Sequence, residues 1–271
     1  MNNKAIGVFD SGLGGLTAVR ILRRLMPEEN IIYFGDTGRM PYGGRPVDEI
    51  RLIARQNVAF VEEKQVKAII AACGTISSNA QDILAENDTK IIGVLTPGAK
   101  ELAETGCRNL GVIATATSIA SGSFEREVKR FAPDAEVTAI PCPEFVPVIE
   151  SGHFEKDDPI VQDVVARTLK PLKEKGVEAI LLGCTHYGII AEAISEYMGS
   201  DVILVGAADA SARAMCAYLT ENGMLAEDNA QESYYTSSDI SDFEKLAPIM
   251  LGYEMKSRAQ FVEPFPLDEV K

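Results

Sequence analysis

The stretch Lys67-Ala-Ile-Ile-Ala-Ala-Cys73-Gly-Thr75 is a short apolar run that ends on a cysteine and passes into small and hydroxyl residues. Glu178-Ala-Ile-Leu-Leu-Gly-Cys184-Thr-His186 repeats it 111 residues later. Both runs are continuously apolar rather than alternating, which fits strands of a parallel sheet covered on both faces. A helix-like stretch follows each, so each cysteine belongs where a strand gives way to a helix. A second echo sets Gly7-Val-Phe-Asp10-Ser11 against Gly111-Val-Ile-Ala114-Thr115, in the same order and at an offset of 104. Two echoes at similar offsets predict two related α/β halves, each presenting one thiol to a common cleft. Two facing thiols can take a proton from one side of a carbon and return one to the other.

The pattern extends outward from these stretches. Strands are expected at 5–9, 31–35, 68–72, 91–94, 110–114, 136–140, 179–183, 202–205 and 234–236. Amphipathic stretches at 16–26, 47–64, 77–86, 121–131, 160–175 and 207–222 lie between them. Strands alternating with helices of this length imply crossover units and mostly parallel sheets. The expected fold is α/β: two pseudo-symmetric three-layer domains with the active site in the cleft between them. The first comprises 1–97 plus 207–271 and carries Asp10, Asp36 and Cys73. The second comprises 98–206 and carries Thr115, Glu150, Cys184 and His186. Hinges are expected at 96–100 and 205–209.

Composition narrows the function classes. With 271 residues, 46% hydrophobic and 24% charged, the chain is long enough for one large or two medium cores. No apolar run approaches the roughly 18 residues of a membrane span. The start of the chain lacks the basic and apolar regions of a signal peptide, so the cytoplasm is the expected compartment. A net charge of −14 without a basic cluster argues against nucleic acid and anionic membranes as partners. Five widely spaced cysteines without a C-x-x-C argue against a disulfide framework. Cys107, Cys142 and Cys216 read as small buried hydrophobes.

Ligands of open α/β sheets bind beyond the carboxyl ends of the strands. The residues there are Asp10-Ser11, Asp36-Thr37, Cys73-Gly-Thr75, Thr115, the segment 144–150, and Cys184-Thr-His186. The glycine-rich turn Asp10-Ser-Gly-Leu-Gly-Gly15 could cradle a phosphate at a helix N-terminus. It lacks the spacing and lysine of nucleotide motifs, and Asp10 would repel a phosphate. A tight turn capped by Asp10 or Ser11 is the plainer reading, and Asp10 orienting a proton-transfer group is a third. The loop 35–45 places Tyr42-Gly43 near the cleft, or is simply structural. A thiolate at a helix N-terminus is expected to have a lowered pKa, which would make Cys73 and Cys184 usable bases. Thr75 and Thr185 can donate hydrogen bonds to a thiolate or a substrate carboxylate. His186 could hold a proton near Cys184 or pair with a carboxylate. The bland alternative is two core cysteines and a buried histidine, against which the repeated context speaks. Zinc held by Cys73, Cys184, His186 and Asp10 is a competitor, but structural sites pair ligands closely, and only 184 and 186 are close.

At these residues the chain resembles the glutamate racemase branch of the aspartate/glutamate racemase family, nearly end to end. Phe9-Asp-Ser-Gly-Leu-Gly-Gly-Leu-Thr17 and Asp36-Thr-Gly-Arg-Met-Pro-Tyr-Gly43 are similar to the family's first two loops. Ala72-Cys-Gly-Thr75, Val112-Ile-Ala-Thr115, Phe145-Val-Pro-Val-Ile-Glu150, Leu182-Gly-Cys-Thr-His-Tyr187 and Tyr234-Tyr-Thr-Ser237 follow in the family's order. The resemblance implies an isomerase without cofactor or metal that interconverts L- and D-glutamate, the latter for peptidoglycan. It implies Cys73 and Cys184 as the two acid/base residues, with Asp10 and His186 supporting proton transfer and Asp36, Thr115 and Glu150 near the site. Substrate contacts carry over to Asp10, Ser11, Pro41, Tyr42, Gly43, Gly74, Thr75, Thr185 and His186. A homodimer is expected by the same resemblance. The chain departs from the family at Gly74, where an asparagine is usual, and less importantly at Gly38 and Gly188. Gly74 leaves open whether water, a neighbour or a different substrate fills the place of the amide. The alternatives are a racemase of aspartate or another acidic amino acid, and a non-catalytic regulatory protein of the same fold.

Overall fold

The computed structural model describes residues 2–227 and 230–267. Residues 268–271, at the end of the expected first half, lie outside the described residues. Ten described strands form two sheets, and every pairing is parallel. They are β1 (Ile6–Asp10), β2 (Ile31–Gly35), β3 (Ala68–Ala71), β4 (Ile91–Gly93), β5 (Asn109–Ala114), β6 (Glu136–Pro141), β7 (Ala179–Leu182), β8 (Ile203–Gly206), β9 (Glu232–Thr236) and β10 (Ala259–Phe261). The first sheet runs β10-β9-β2-β1-β3-β4 and the second β6-β5-β7-β8. The order β2-β1-β3-β4 is repeated by β6-β5-β7-β8, so β1 corresponds to β5 and β3 to β7. The echoed sequence stretches therefore occupy equivalent strands.

Each residue of β1, β3 and β7 is buried, as an unbroken apolar run in a two-sided sheet requires. Phe9 pairs with Ala71 across β1 and β3, and Ile113 with Leu182 across β5 and β7. Asp10 and Cys73 lie just beyond the first pair, and Thr115 and Cys184 just beyond the second. The largest apolar core is continuous between the sheets. It joins Val8 and Ile70 from one to Ile113, Ile180 and Leu182 from the other.

The chain passes between sheets near the expected hinges, but through helices rather than linkers. Leu95–Glu104 leads from β4 to β5 and Ala207–Glu221 from β8 to β9, and the two helices pack on each other. Pro97 hides the first from a periodicity reading, although proline in a first turn forfeits no helical hydrogen bond. The stretch expected as one helix over 77–86 starts directly after Cys73. It breaks at Ala80 into Gly74–Asn79 and Gln81–Ala85. The helix Pro159–Glu174 begins where Asp158 accepts the amide of Ile160 at 2.8 Å, with Pro159 in its first turn. The helices Ala116–Ala120, Phe145–Glu150, Ala191–Met198 and Ile240–Leu251 and the strand β10 add to the elements expected. Among the described residues, no helix is long and apolar enough to cross a membrane.

Candidate active site

The carboxyl ends of β1, β3, β5, β6 and β7 and the loop after β2 converge on a cleft of about 330 Å³. The first sheet contributes Asp10 and Ser11, the loop Met40 to Gly44, and Cys73, Gly74 and Thr75. The second contributes Thr115 and Ala116, Cys142, Pro143, Val146, Pro147 and Glu150, and Cys184, Thr185 and His186. Each site residue expected from the sequence lines this cleft except Asp36.

Asp10 ends β1 and is buried. One carboxylate oxygen accepts the Ser11 amide at 2.7 Å, and the other accepts the Thr185 hydroxyl, from the opposite sheet, at 3.0 Å. The glycine-rich turn that follows is shaped by His186 and Thr185. A Cβ on Gly14 would lie 2.4 Å from Nδ1 of His186 and 2.5 Å from Oγ1 of Thr185. The turn is thus occupied by side chains of the second sheet.

Cys73 precedes the short helix Gly74–Asn79 and is buried. Its pKa is raised, not lowered as the helix N-terminus alone suggests. Burial pushes the thiol up first, and the charge of Asp10 adds to it; the Ile76 amide and the Ser11 hydroxyl pull the other way without compensating. Cys73 is therefore a thiol, a proton donor, in the ligand-free protein. Cys184 sits beside a different partner. Its Sγ lies 3.8 Å from Nδ1 of His186, whose Nε2 lies 3.1 Å from Oε1 of Glu150. Burial lowers the His186 pKa, but hydrogen bonding to Cys184 and Glu150 and the charges of Cys184 and Asp10 outweigh it, to about 10. The ring is an imidazolium at neutral pH. One thiol thus has an aspartate as neighbour, the other a cationic histidine.

Asp36 stands behind the cleft. Its carboxylate accepts Arg39 Nε at 2.7 Å, Ser237 Oγ at 2.7 Å and the Tyr42 hydroxyl, which itself accepts Asn57 Nδ2 at 3.0 Å. Burial raises the Asp36 pKa more than these partners lower it. The network holds Tyr42 and the cis Met40–Pro41 peptide against the cleft. Arg39 also donates to the carbonyl of Phe265 at 3.2 Å, so the segment at Phe265 braces the loop. On the opposite wall, Thr75 Oγ1 lies 3.0 Å from Thr115 Oγ1, which lies 2.9 Å from Ser118 Oγ. This chain of hydroxyls joins the two sheets.

The place beside Gly74 is not an empty slot for an amide. A Cβ there would lie 2.2 Å from the carbonyl oxygen of Gly183. The missing side chain is replaced by backbone of the other sheet. Cys142 was legible only as core, yet it lines the cleft directly after β6, where the strand-end rule points. Val146 and Pro147 are exposed to the same space by the turn of Phe145–Glu150. Among the described residues, no group of three or more His, Cys, Asp and Glu is placed to hold a metal ion.

The chain is 38% identical to the glutamate racemase of Thermoanaerobacter pseudethanolicus over 95% of its length and 97% of the relative's. It superposes on the crystal structure of glutamate racemase from Francisella tularensis in complex with D-glutamate with a TM-score of 0.90, at 36% identity and 99% coverage of both chains. Glutamate racemase from Thermus thermophilus, in complex with beta-chloro-D-alanine, gives a TM-score of 0.86 at 36% identity, over 97% of this chain and 98% of that one. Residues 17–235 match the family Asp/Glu/Hydantoin racemase, and the chain belongs to that family of isomerases.

Proposed function

We propose that the protein racemises glutamate by a two-base mechanism, with Cys73 and Cys184 acting on opposite faces of the α-carbon. One observation carries the reading: equivalent strands of two sheets deliver one thiol each into a single cleft, and each thiol has its own ionisable partner. The kinship with glutamate racemases supports the substrate.

In the direction where Cys184 is the base, its thiolate takes the α-proton while the Cys73 thiol delivers one to the other face. The His186 imidazolium 3.8 Å from Sγ is the counter-charge of that thiolate. In reverse, Cys73 is the base, and it is activated when its proton leaves against the opposition of burial and Asp10. A bound ammonium group beside Asp10 would relieve that opposition by screening the carboxylate. The carbanion-like charge that develops at the α-carbon delocalises onto the substrate carboxylate. Hydroxyls of Thr75 and Thr115 and backbone amides of the short turns are the donors available to it, joined by the Thr185 hydroxyl once it turns from Asp10. Pro41, Tyr42 and Gly43 close the cleft from the loop. D-Glutamate made this way serves as a peptidoglycan precursor.

The test is turnover of purified protein with each enantiomer of glutamate and aspartate in D₂O. Racemisation with α-deuterium incorporation, led by glutamate, is the expected result. A preference for aspartate above about tenfold, about 1.4 kcal/mol in transition-state binding, would refute the glutamate assignment.

A further inference from the structure

The two loops that bear the thiols come close at their glycines. Gly74 follows Cys73, and Gly183 precedes Cys184. The position of a Cβ on Gly74 is 2.2 Å from the Gly183 oxygen, 3.4 Å from its carbonyl carbon and 3.8 Å from Cα of Cys184. Gly183 cannot retreat. Its own Cβ position is 3.0 Å from the oxygen of Ile113 and 3.0 Å from Cζ of Phe124, and its amide donates to that Ile113 oxygen at 2.8 Å. The end of β7 is therefore held by its neighbour strand and by a buried ring.

We infer that the Gly74–Gly183 contact is a spacer that sets the separation of the two thiols, which makes Gly74 a positioning residue for two-sided proton transfer. The inference rests on the two-base reading above and adds to it what holds the bases apart. A side chain at 74 reaches ordinary contact only if the loops part by about 1 Å. Misplacement of reacting groups by that amount costs on the order of 10²-fold in rate. A reaction that needs one thiol is spared this cost, because the substrate can stay with that thiol. A reaction that needs both is not.

The probe for one-thiol chemistry is 3-chloroglutamate. A thiolate takes the α-proton, the C–H pair forms the Cα–Cβ double bond, and chloride leaves with the C–Cl pair. The enamine tautomerises and is hydrolysed by water to 2-oxoglutarate and ammonia. Each α-configuration reports the thiol that faces its proton. The experiment measures racemisation of glutamate and elimination from both configurations in the native protein, Gly74→Ala and Gly188→Ala. Gly188 is the control, because nothing lies within 4 Å of its Cβ position. Gly74→Ala should lose racemisation 10- to 100-fold more than elimination from the configuration that faces Cys184. Gly188→Ala should keep the native ratio.

If Gly74→Ala does not yield soluble protein, Gly183→Ala takes its place. Crowding against Ile113 and Phe124 displaces the same carbonyl, and any displacement alters the thiol separation. A ratio unchanged from native in the soluble variant overturns the inference and leaves the racemase reading standing. Native protein that neither racemises glutamate nor eliminates chloride refutes the racemase reading, and the inference with it.

Discussion

Glu150→Gln tests the electrostatics on the Cys184 side. The substitution keeps the shape of the side chain and removes the charge 3.1 Å from Nε2 of His186. A hydrogen bond between charged partners contributes roughly 1.5–3 kcal/mol. The Glu150 side chain is 20% exposed, so the lower end applies, about 1.5 kcal/mol. At about 1.36 kcal/mol per pKa unit, His186 should fall from about 10 to about 9. The folded value lies above the unfolded one. The stability it contributes is therefore fully present below pH of about 6.5 and is lost as pH rises through about 10. The native protein should exceed the variant by about 1.5 kcal/mol from neutral pH up to about pH 9, where the variant's ring loses its proton, and the gap should close above about pH 10. Urea unfolding at a series of pH values reads the gap. Ring NMR reads the titration directly, since His153 and His186 are the only histidines. A gap that does not change with pH, or a native His186 that titrates near the ordinary histidine value, would show that Glu150 does not hold the imidazolium.

Cys73→Ala and Cys184→Ala should each abolish racemisation while circular dichroism stays native; full turnover in either would end the two-base proposal. His186→Asn should lower kcat/KM equally for L- and D-glutamate, because the equilibrium between enantiomers is unity, while kcat and KM separately change unequally. Equal changes of kcat in both directions would speak against a one-sided role for His186. Arg39→Met leaves the Asp36 carboxylate buried without its cation and should cost about 3–5 kcal/mol in urea unfolding, with a raised KM from the loosened Tyr42 loop; a loss under about 1 kcal/mol would remove Arg39 from that network. Exhaustive chelation should leave turnover unchanged, and activity that returns only with added zinc would contradict metal-free chemistry.

Much of the site was legible because it follows strand ends. Cys73, Thr75, Thr115, Cys184 and His186 sit immediately after apolar runs, and their identities announce proton chemistry. Cys142 sits in the same kind of place, but an isolated thiol without an echo offers no signal beyond burial. Asp36 shows the opposite limit. Its position after β2 predicts a place in the cleft, while Arg39, Tyr42 and Ser237 turn its carboxylate into a brace behind it.

The chain by itself determined the α/β class, the two related halves and the pair of thiols, because apolar periodicity and strand-end identity are local properties repeated along it. Only the tertiary structure decided which groups act on each thiol. Thr185 reaches Asp10 across 175 residues and Gly183 fills the space beside Gly74. These are contacts between sheets, and no local pattern encodes their distance. The direction of the Cys73 pKa belongs to the same class. A helix N-terminus is visible in sequence and lowers it, whereas the burial and the Asp10 charge that raise it arise only when the sheets close over the cleft.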